Sequence, residues 1–265
     1  MLDAGETFDG YVLDREVGRG GSAIVYQAHD REHPDQVVAL KILSEDHRTA
    51  PERARLNREF EFARRLGHPH IVEVYAHRPH WLAMQFVDGG KSTRLQRLEQ
   101  RLAALAQISD ALDYIHRCGI VHADVKPANI LVANDFSRTG AVLVDFGVAH
   151  AVVEDVFRRP KNLQASLSYA APEVLRGYAP TAATDQYALA CSAVELITGA
   201  PPFTPDTAAE LVDAHLRGIP PRMSRKATWL PRAFDAAVAK AMSRDPELRY
   251  QSCTEFVEHI TRVLR

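Results

Sequence analysis

Cysteine is scarce: Cys118, Cys191 and Cys253 are the only three in 265 residues. An odd number with no close pair excludes a disulfide scaffold and a cysteine-based zinc site, and suits a reducing compartment. Net charge is nearly absent too, 32 Lys and Arg against 34 Asp and Glu leaving −2. A chain so balanced has no overall pull toward nucleic acid or anionic lipid, so no nucleic-acid partner is expected. No run approaches the ~18 apolar residues of a membrane span, and Met1 to Glu6 lacks the basic-then-apolar order of a secretion signal. A cytoplasmic location is the expectation. Repeats and low-complexity tracts are missing as well. What remains is the composition of a folded protein, 46% hydrophobic and 25% charged, of a length that fits one large domain or two small ones.

The hydrophobic pattern changes character along the chain. Val12 to Tyr26 reads as two extended runs around the glycine-rich Val17-Gly18-Arg19-Gly20-Gly21-Ser22-Ala23, and Val37 to Leu43 reads as a short β-branched strand. Pro51 to Leu66 reads as a helix with Leu56, Phe60 and Ala63 on one stripe. Ile71 to Tyr75 and Trp81 to Val87 are further strand candidates. After Asp88-Gly89-Gly90 the helical period takes over: Leu95 to Arg117, a strongly apolar Thr184 to Thr198 ended by Gly199, and several amphipathic helices from about Ala208 to Arg265. Between them lie two very short strands, 130–132 and 142–144. Strands first and helices after imply α+β in two lobes, without strict βαβ alternation.

Four local features carry chemistry. Gly18-x-Gly20 opens a loop followed by a strand-like run, which excludes the dinucleotide fingerprint, and no Gly-Lys-Ser/Thr follows, which excludes a P-loop. A plain hairpin turn and a flexible phosphate cover both remain open for it. Lys41 interrupts an apolar strand. Glu59 shares the apolar stripe of its helix, three residues after Leu56 and four before Ala63, and a carboxylate there is costly without a cation. Lys41 is its natural partner. His122-Ala123-Asp124-Val125-Lys126-Pro127-Ala128-Asn129 sets polar groups between two apolar runs, and Asp145-Phe146-Gly147 places an acid directly after a buried strand. Asp124, Lys126 and Asn129 supply a base, a cation and an amide, and Asn and Asp oxygens suit Mg²⁺. Each alone could be a polar turn; all four in this order make that reading improbable.

Together these residues resemble the bacterial, eukaryotic-like (Hanks-type) Ser/Thr protein kinases, most closely mycobacterial receptor-type ones, over about residues 11–264. The resemblance implies a bilobal protein-kinase-like fold. One kinase domain would span 1–265, with an N-lobe of about 1–86, a hinge of about 85–90 and a C-lobe of about 90–265. It implies ATP as cosubstrate, with Mg²⁺, or Mn²⁺ as a substitute, held by Asn129 and Asp145. Gly18 and Gly20 would cover the phosphates and Lys41 would hold them, braced by Glu59. Adenine would lie among Val25, Ala39, Leu131 and the backbone from Gln85 to Val87, with Met84 as gatekeeper. Asp124 would be the base and Lys126 would steady the transferring phosphoryl. Asp185 would brace the catalytic loop, Glu173 of Ala171-Pro172-Glu173 would pair with Arg249, and Ser166 would contact the catalytic loop. Protein Ser/Thr hydroxyls are the implied acceptors, the chain itself among them, and a homodimer is compatible with the pattern. Relatives of this type are often the intracellular part of a longer single-pass membrane receptor.

Several positions depart from the pattern. Ala123 replaces the arginine that normally meets a phosphate on the activation loop, and residues 148–170 contain no threonine, their hydroxyls being Ser166, Ser168 and Tyr169. Both losses point to a non-RD enzyme whose activity does not need activation-loop phosphorylation. Ala23 stands for the third glycine. Residues 74–84 leave a trimmed hairpin, and the short basic stretch after Gly90 leaves a reduced helix beside the hinge. His68, His70, His77 and His80 raise a metal reading, but no carboxylate or cysteine completes a site. Two other function classes remain alternatives: a nucleotide-binding pseudokinase acting as a scaffold, against which Lys41, Glu59, Asp124, Asn129 and Asp145 are all present, and a small-molecule phosphotransferase, against which Asp-Phe-Gly, Ala-Pro-Glu and Arg249 argue.

Overall fold

The computed structural model describes residues 4–151 and 164–265, without the side chains of residues 150 and 164–166. The first half is built on a six-stranded antiparallel sheet in the order β1-β2-β3-β4-β6-β5, from Thr7–Phe8, Tyr11–Arg19, Ala23–Asp30, Val37–Leu43, Val74–Arg78 (β5) and Trp81–Gln85 (β6). Side chains alternate across a strand, and β4 uses both faces. Val38, Leu40 and Ile42 enter a small core with Leu13, Tyr26, Ala28, Trp81 and Ala83. Ala39 and Leu43 join the main core on the opposite face, and Lys41 shares their parity. The helix α1, Ala50–Ala63, carries Pro51 in its first turn, where the missing N–H costs nothing.

The second half is mainly helical: α2 (Leu98–Arg117), α3 (Pro172–Leu175), α4 (Ala182–Thr198), α5 (Ala208–Arg217), α6 (Arg232–Ala241) and α7 (Cys253–Leu264). Almost every side chain of α4 is buried, so it forms the axis of this half, ending at Gly199 in the left-handed region at φ 89°. Asp113 of α2 accepts the Cys253 and Thr254 N–H groups at 2.8 and 2.9 Å, capping the start of α7. Short strands line the inner edge: β7 (Gly89–Lys91), β9 (Ile130–Ala133) and β10 (Ala141–Leu143) form one sheet, and β8 (Ile120–Val121) pairs with β11 (His150–Ala151). The α+β division into a sheet-rich and a helical half is as the pattern implies.

Three sequence-based assignments need correction. The strand expected at Ile71–Tyr75 begins only at Val74. Residues 70–72 bond instead to β10, with Val72 N–H to Leu143 O at 3.0 Å and Leu143 N–H to His70 O at 2.9 Å, so this backbone links the two halves. On α1 the buried stripe is Leu56, Glu59, Phe62 and Ala63, while Phe60 is half-buried and stacks on His77. The helix also stops at Ala63, short of Leu66. The trimmed hairpin is present, Pro79 and His80 alone joining β5 to β6, and beside the hinge a single 3-10 turn, Ser92–Arg94, stands where a helix was expected to be reduced.

Candidate active site

The cleft between the halves is where the chemistry-bearing residues meet. Lys41 reaches from β4 to Glu59 on α1, Nζ to Oε2 at 2.6 Å. Glu59 is 1% exposed, so the pair answers the cost that its place on a buried stripe imposes. Asp145 lies beside it, Oδ1 at 3.6 Å from Lys41 Nζ. Burial pulls the Lys41 pKa down, but Asp145 and Glu59 outweigh this and leave it above its ordinary value, hence charged. Burial pushes the Asp145 carboxyl up; Lys41 and then Arg55 reverse this and hold it well below the usual carboxylate range. Its backbone sits at φ 68°, in the left-handed region, with Phe146 fully buried beneath it against His122 at 4.8 Å between ring centres. Strain of this kind persists only where surrounding contacts over-determine it.

The loop from His122 to Asn129 is held from below. Asp185, fully buried at the start of α4, accepts the His122 N–H on Oδ2 and the Ala123 N–H on Oδ1, each at 2.8 Å, and its Oδ2 also meets His116 Nε2 at 2.8 Å. These bonds hold the loop where Ala123 takes φ 63°, in the left-handed region. Lys126 Nζ donates to both Asp124 oxygens, at 3.0 and 2.8 Å. Asn129 Nδ2 donates to the Asp124 carbonyl at 2.8 Å and to Asp124 Oδ2 at 3.0 Å. Both amide hydrogens are thereby directed at Asp124, which leaves the Asn129 carbonyl oxygen as its acceptor end. With Asp145 this makes a small set of hard oxygen donors, the chemistry that suits a divalent ion sharing its shell with phosphate.

The expected apolar residues are placed by strand pairing and the main core. Val25 faces Lys41 in the β3–β4 register, and Ala39 faces Met84 in the β4–β6 register. Ala39, Met84 and Val87 are buried, Val25 and Leu131 half-buried, and all five pack on the main core. Gln85 ends β6, its N–H bonded to Glu73 O at 2.8 Å. In the glycine-rich turn Gly20 N–H closes on Ala23 O at 2.8 Å. A Cβ on Gly18 or Gly20 would meet only ordinary contacts, and one on Gly21 nothing at all. The protein's own packing therefore does not demand glycine there.

A profile of the protein kinase domain family matches residues 11–261. The chain belongs to the protein kinase family. The kinase is 38% identical to the serine/threonine-protein kinase PknJ of Mycobacterium tuberculosis over 268 residues, 96% of this chain and 45% of that protein. It is likewise 38% identical to PknF of Mycobacterium tuberculosis over 270 residues, 96% of this chain and 56% of that one. It thus spans about half the length of the curated relatives it matches. Among solved structures, the PknI kinase domain of M. tuberculosis superposes with a TM-score of 0.75 at 32% identity, covering 99% of this chain and 98% of that one. The fold is accordingly that of a protein kinase, the relatives are named Ser/Thr kinases, and use of ATP and a divalent metal goes with the family. No helix among the described residues is long and apolar enough to cross a membrane.

Of the expected site residues, contacts join Lys41, Glu59 and Asp145 in one group and Asp124, Lys126 and Asn129 in another, and three partners were not anticipated. Arg55, four residues before Glu59 on α1, reaches Asp145, Nη2 to Oδ2 at 3.6 Å. The i, i+4 spacing to Glu59 was a usable signal for it. His116 on Asp185 and the Ser92 hydroxyl, which donates to Pro127 O at 3.1 Å and ties the 92–94 turn to the 122–129 loop, had no signal in spacing. The pair Glu173–Arg249 forms as expected. The Ser166 side chain lies outside the described residues. The four histidines do not gather into one group: His68 meets Asp110 and packs edge to face on His70, whose ring reaches the Ala141 carbonyl, while His77 stacks on Phe60 and His80 sits in the turn.

Proposed function

We propose that residues 1–265 form one catalytic domain, with lobes of about 1–86 and 90–265 around a hinge at about 85–90, that transfers the γ-phosphoryl of Mg·ATP to protein Ser or Thr hydroxyls. The observation that supports this is the Lys41–Glu59 pair at 2.6 Å with Asp145 beside it, while the loop in which Lys126 and Asn129 bond Asp124 is tied to the strand before Asp145 by Val144 N–H to Asn129 O at 3.0 Å. A broken pair or a displaced Asp145 would have favoured a pseudokinase scaffold.

In this reading, bound Mg·ATP supplies the transferable phosphoryl and neutralises part of its charge. The chain supplies positioning and electrostatics. Val25, Ala39, Met84, Val87 and Leu131 enclose the base, with Gln85 and Val87 contributing backbone groups. Gly18 and Gly20, which the fold does not need as glycines, leave room for phosphates under the β2–β3 turn. Lys41 holds phosphate oxygens, kept in place by Glu59. Asn129 and Asp145 hold Mg²⁺, with Mn²⁺ as a substitute. Asp124 orients the acceptor hydroxyl and takes its proton as the new O–P bond forms and the bond to the ADP oxygen breaks, and Lys126 steadies the group in transit.

The decisive experiment is incubation with Mg·ATP and a generic protein substrate, with mass spectrometry of the phosphosites, beside Asp124→Asn. Phosphoserine and phosphothreonine formed only by the unsubstituted chain are expected, with a loss of about 10²–10⁴ in rate for the variant. Equal transfer by both would sink the reading.

The second part of the reading is independence from activation-loop phosphate. Ala123 presents no cation to such a phosphate, and Ser168 is the hydroxyl in question. A fully dephosphorylated Ser168→Ala variant should retain its rate within about two-fold of wild type, since no charge pair is lost. A large drop would overturn this part alone.

A further inference from the structure

Arg55 and Glu59 share one face of α1 but serve different partners. Glu59 takes Lys41 at 2.6 Å. Arg55 passes over to the turn that carries Asp145, its Nη2 3.6 Å from Oδ2, while Lys41 Nζ stands 3.6 Å from Oδ1. Each oxygen of Asp145 thus faces a cation from a different element. Arg55 also lies flat against that turn: a Cβ on Gly147 would come within 2.7 Å of Arg55 Nε and 2.9 Å of its Cγ. Any residue but glycine at 147 would push the arginine away. Its side chain is 33% exposed and that of Asp145 25%, so the contact is partly shielded from solvent.

Lys41 and Arg55 together match the charges of Glu59 and Asp145, so Asp145 meets an arriving divalent ion already faced by two cations. Glu52 and Asp124 also act on Arg55, and Lys126 on Asp145. An ion approaching Asp145 meets two positive groups. Lys41 is retained by its short bond to Glu59. Arg55 is held by the looser 3.6 Å contact and by packing of its stem, so it is the group that can yield. We infer that Arg55 is a positioning residue that occupies Asp145 before the metal arrives and must be displaced for the metal to bind. It sets the metal concentration at which the site loads. This rests on the proposed reading of Asp145 as a metal ligand.

The test is the Mg²⁺ concentration giving half-maximal binding of a fluorescent non-hydrolysable ATP analogue to the whole chain, a readout that needs no turnover. Arg55→Met keeps the stem over Gly147 and removes the charge; it should lower that concentration by about three- to ten-fold, the effect of deleting one positive charge near a divalent ion. Arg55→Lys keeps a charge and should stay within about two-fold of wild type. Should Arg55→Met fold poorly, Arg55→Gln is read in the same way. An unchanged or raised Mg²⁺ requirement in the neutral variants, or an equal fall in Arg55→Lys, overturns the inference. Asp145→Asn separates the two claims: it should raise the Mg²⁺ requirement well above wild type, and if it does not, the reading of Asp145 fails whatever the Arg55 variants do.

Discussion

Arg249 and Glu173 form a two-pronged ion pair inside the helical half, Nη1 to Oε1 and Nη2 to Oε2, both at 2.8 Å, with the arginine side chain wholly buried. The remaining groups are also satisfied: Arg249 Nε donates to Ser243 O and Nη1 to Ala183 O, and the Thr184 hydroxyl donates to Glu173 Oε1. Burial pushes the Glu173 pKa up, and Arg249 outweighs this and leaves it lowered. A buried pair of this kind contributes little net stability over an apolar replacement, but removing one partner strands the other. Glu173→Ala should therefore destabilise by about 3–5 kcal/mol in urea unfolding. The double variant Glu173→Ala/Arg249→Leu should cost clearly less than the sum of the singles. Because the folded pKa is depressed, this contribution is full above the unfolded value and fades as pH falls through the folded one. Additive costs would mean the pair is not a unit.

Asp185 holds the 122–129 loop by accepting two of its backbone N–H groups, and it also meets His116 Nε2 of α2. An amide in its place has one acceptor oxygen and turns its N–H₂ end toward a donor. Asp185→Asn should destabilise by about 1–3 kcal/mol, the cost of one buried donor left unmet. Because the loop carries Asp124, kcat should fall at least about ten-fold while the KM for ATP moves little, as expected for a group that positions the reacting end only. A KM effect alone would remove Asp185 from this role.

The chemistry was legible in the sequence because it is written in short contiguous runs. Lys41 stood out as a charge in an apolar strand, and Glu59 as a charge on an apolar stripe. Asp185 and Arg249 were found only through likeness to a family, since nothing local says that they meet His122 or Glu173 across 63 and 76 residues. What sequence could not give was which of two neighbouring groups takes a partner. Phe60 and Phe62 are equally apolar, and only packing decides that Phe62 enters the core. Residues 71–75 look like a strand, yet their first part bonds to β10 across the cleft, a long-range choice that periodicity does not encode.

His215 is a buried imidazole in α5, paired through Nδ1 with the Tyr187 hydroxyl at 2.8 Å, while its Nε2 has no partner among the described residues. Burial lowers its pKa to about 4 from an ordinary 6.5. The unfolded chain then binds the extra proton between those values, so stability rises with pH across that window and is lost on acidification through it. By pH 4 the loss from this group alone should reach up to about 3 kcal/mol. His215→Gln carries no titration there and should flatten the melting-temperature profile between pH 7 and pH 4. A variant profile as steep as the wild type would assign the acid lability to the carboxylates instead.

Gly89 begins β7, and a Cβ there would come within 1.9 Å of the Val132 carbonyl oxygen and 2.8 Å of its carbon. Both atoms are backbone, held in the β7–β9 pairing of Gly89 with Ala133 and Gly90 with Val132, so neither can step aside without breaking the ladder. The neighbouring Gly90 is different. Its Cβ would meet only the Cδ and Nη1 of Arg94, at 3.3 and 3.4 Å, the far end of a flexible side chain. Gly89→Ala should therefore cost about 1–3 kcal/mol, the range for overpacking a close contact, while Gly90→Ala should stay within about 0.5 kcal/mol, as surface changes do. The ladder also positions Leu131 of β9 beneath the proposed base site. Gly89→Ala should thus weaken binding of an ATP analogue, and Gly90→Ala should leave it unchanged, in a direct fluorescence titration. Equal effects of the two substitutions, on stability and on nucleotide affinity, would show that backbone proximity at Gly89 is not what holds the hinge side of the cleft.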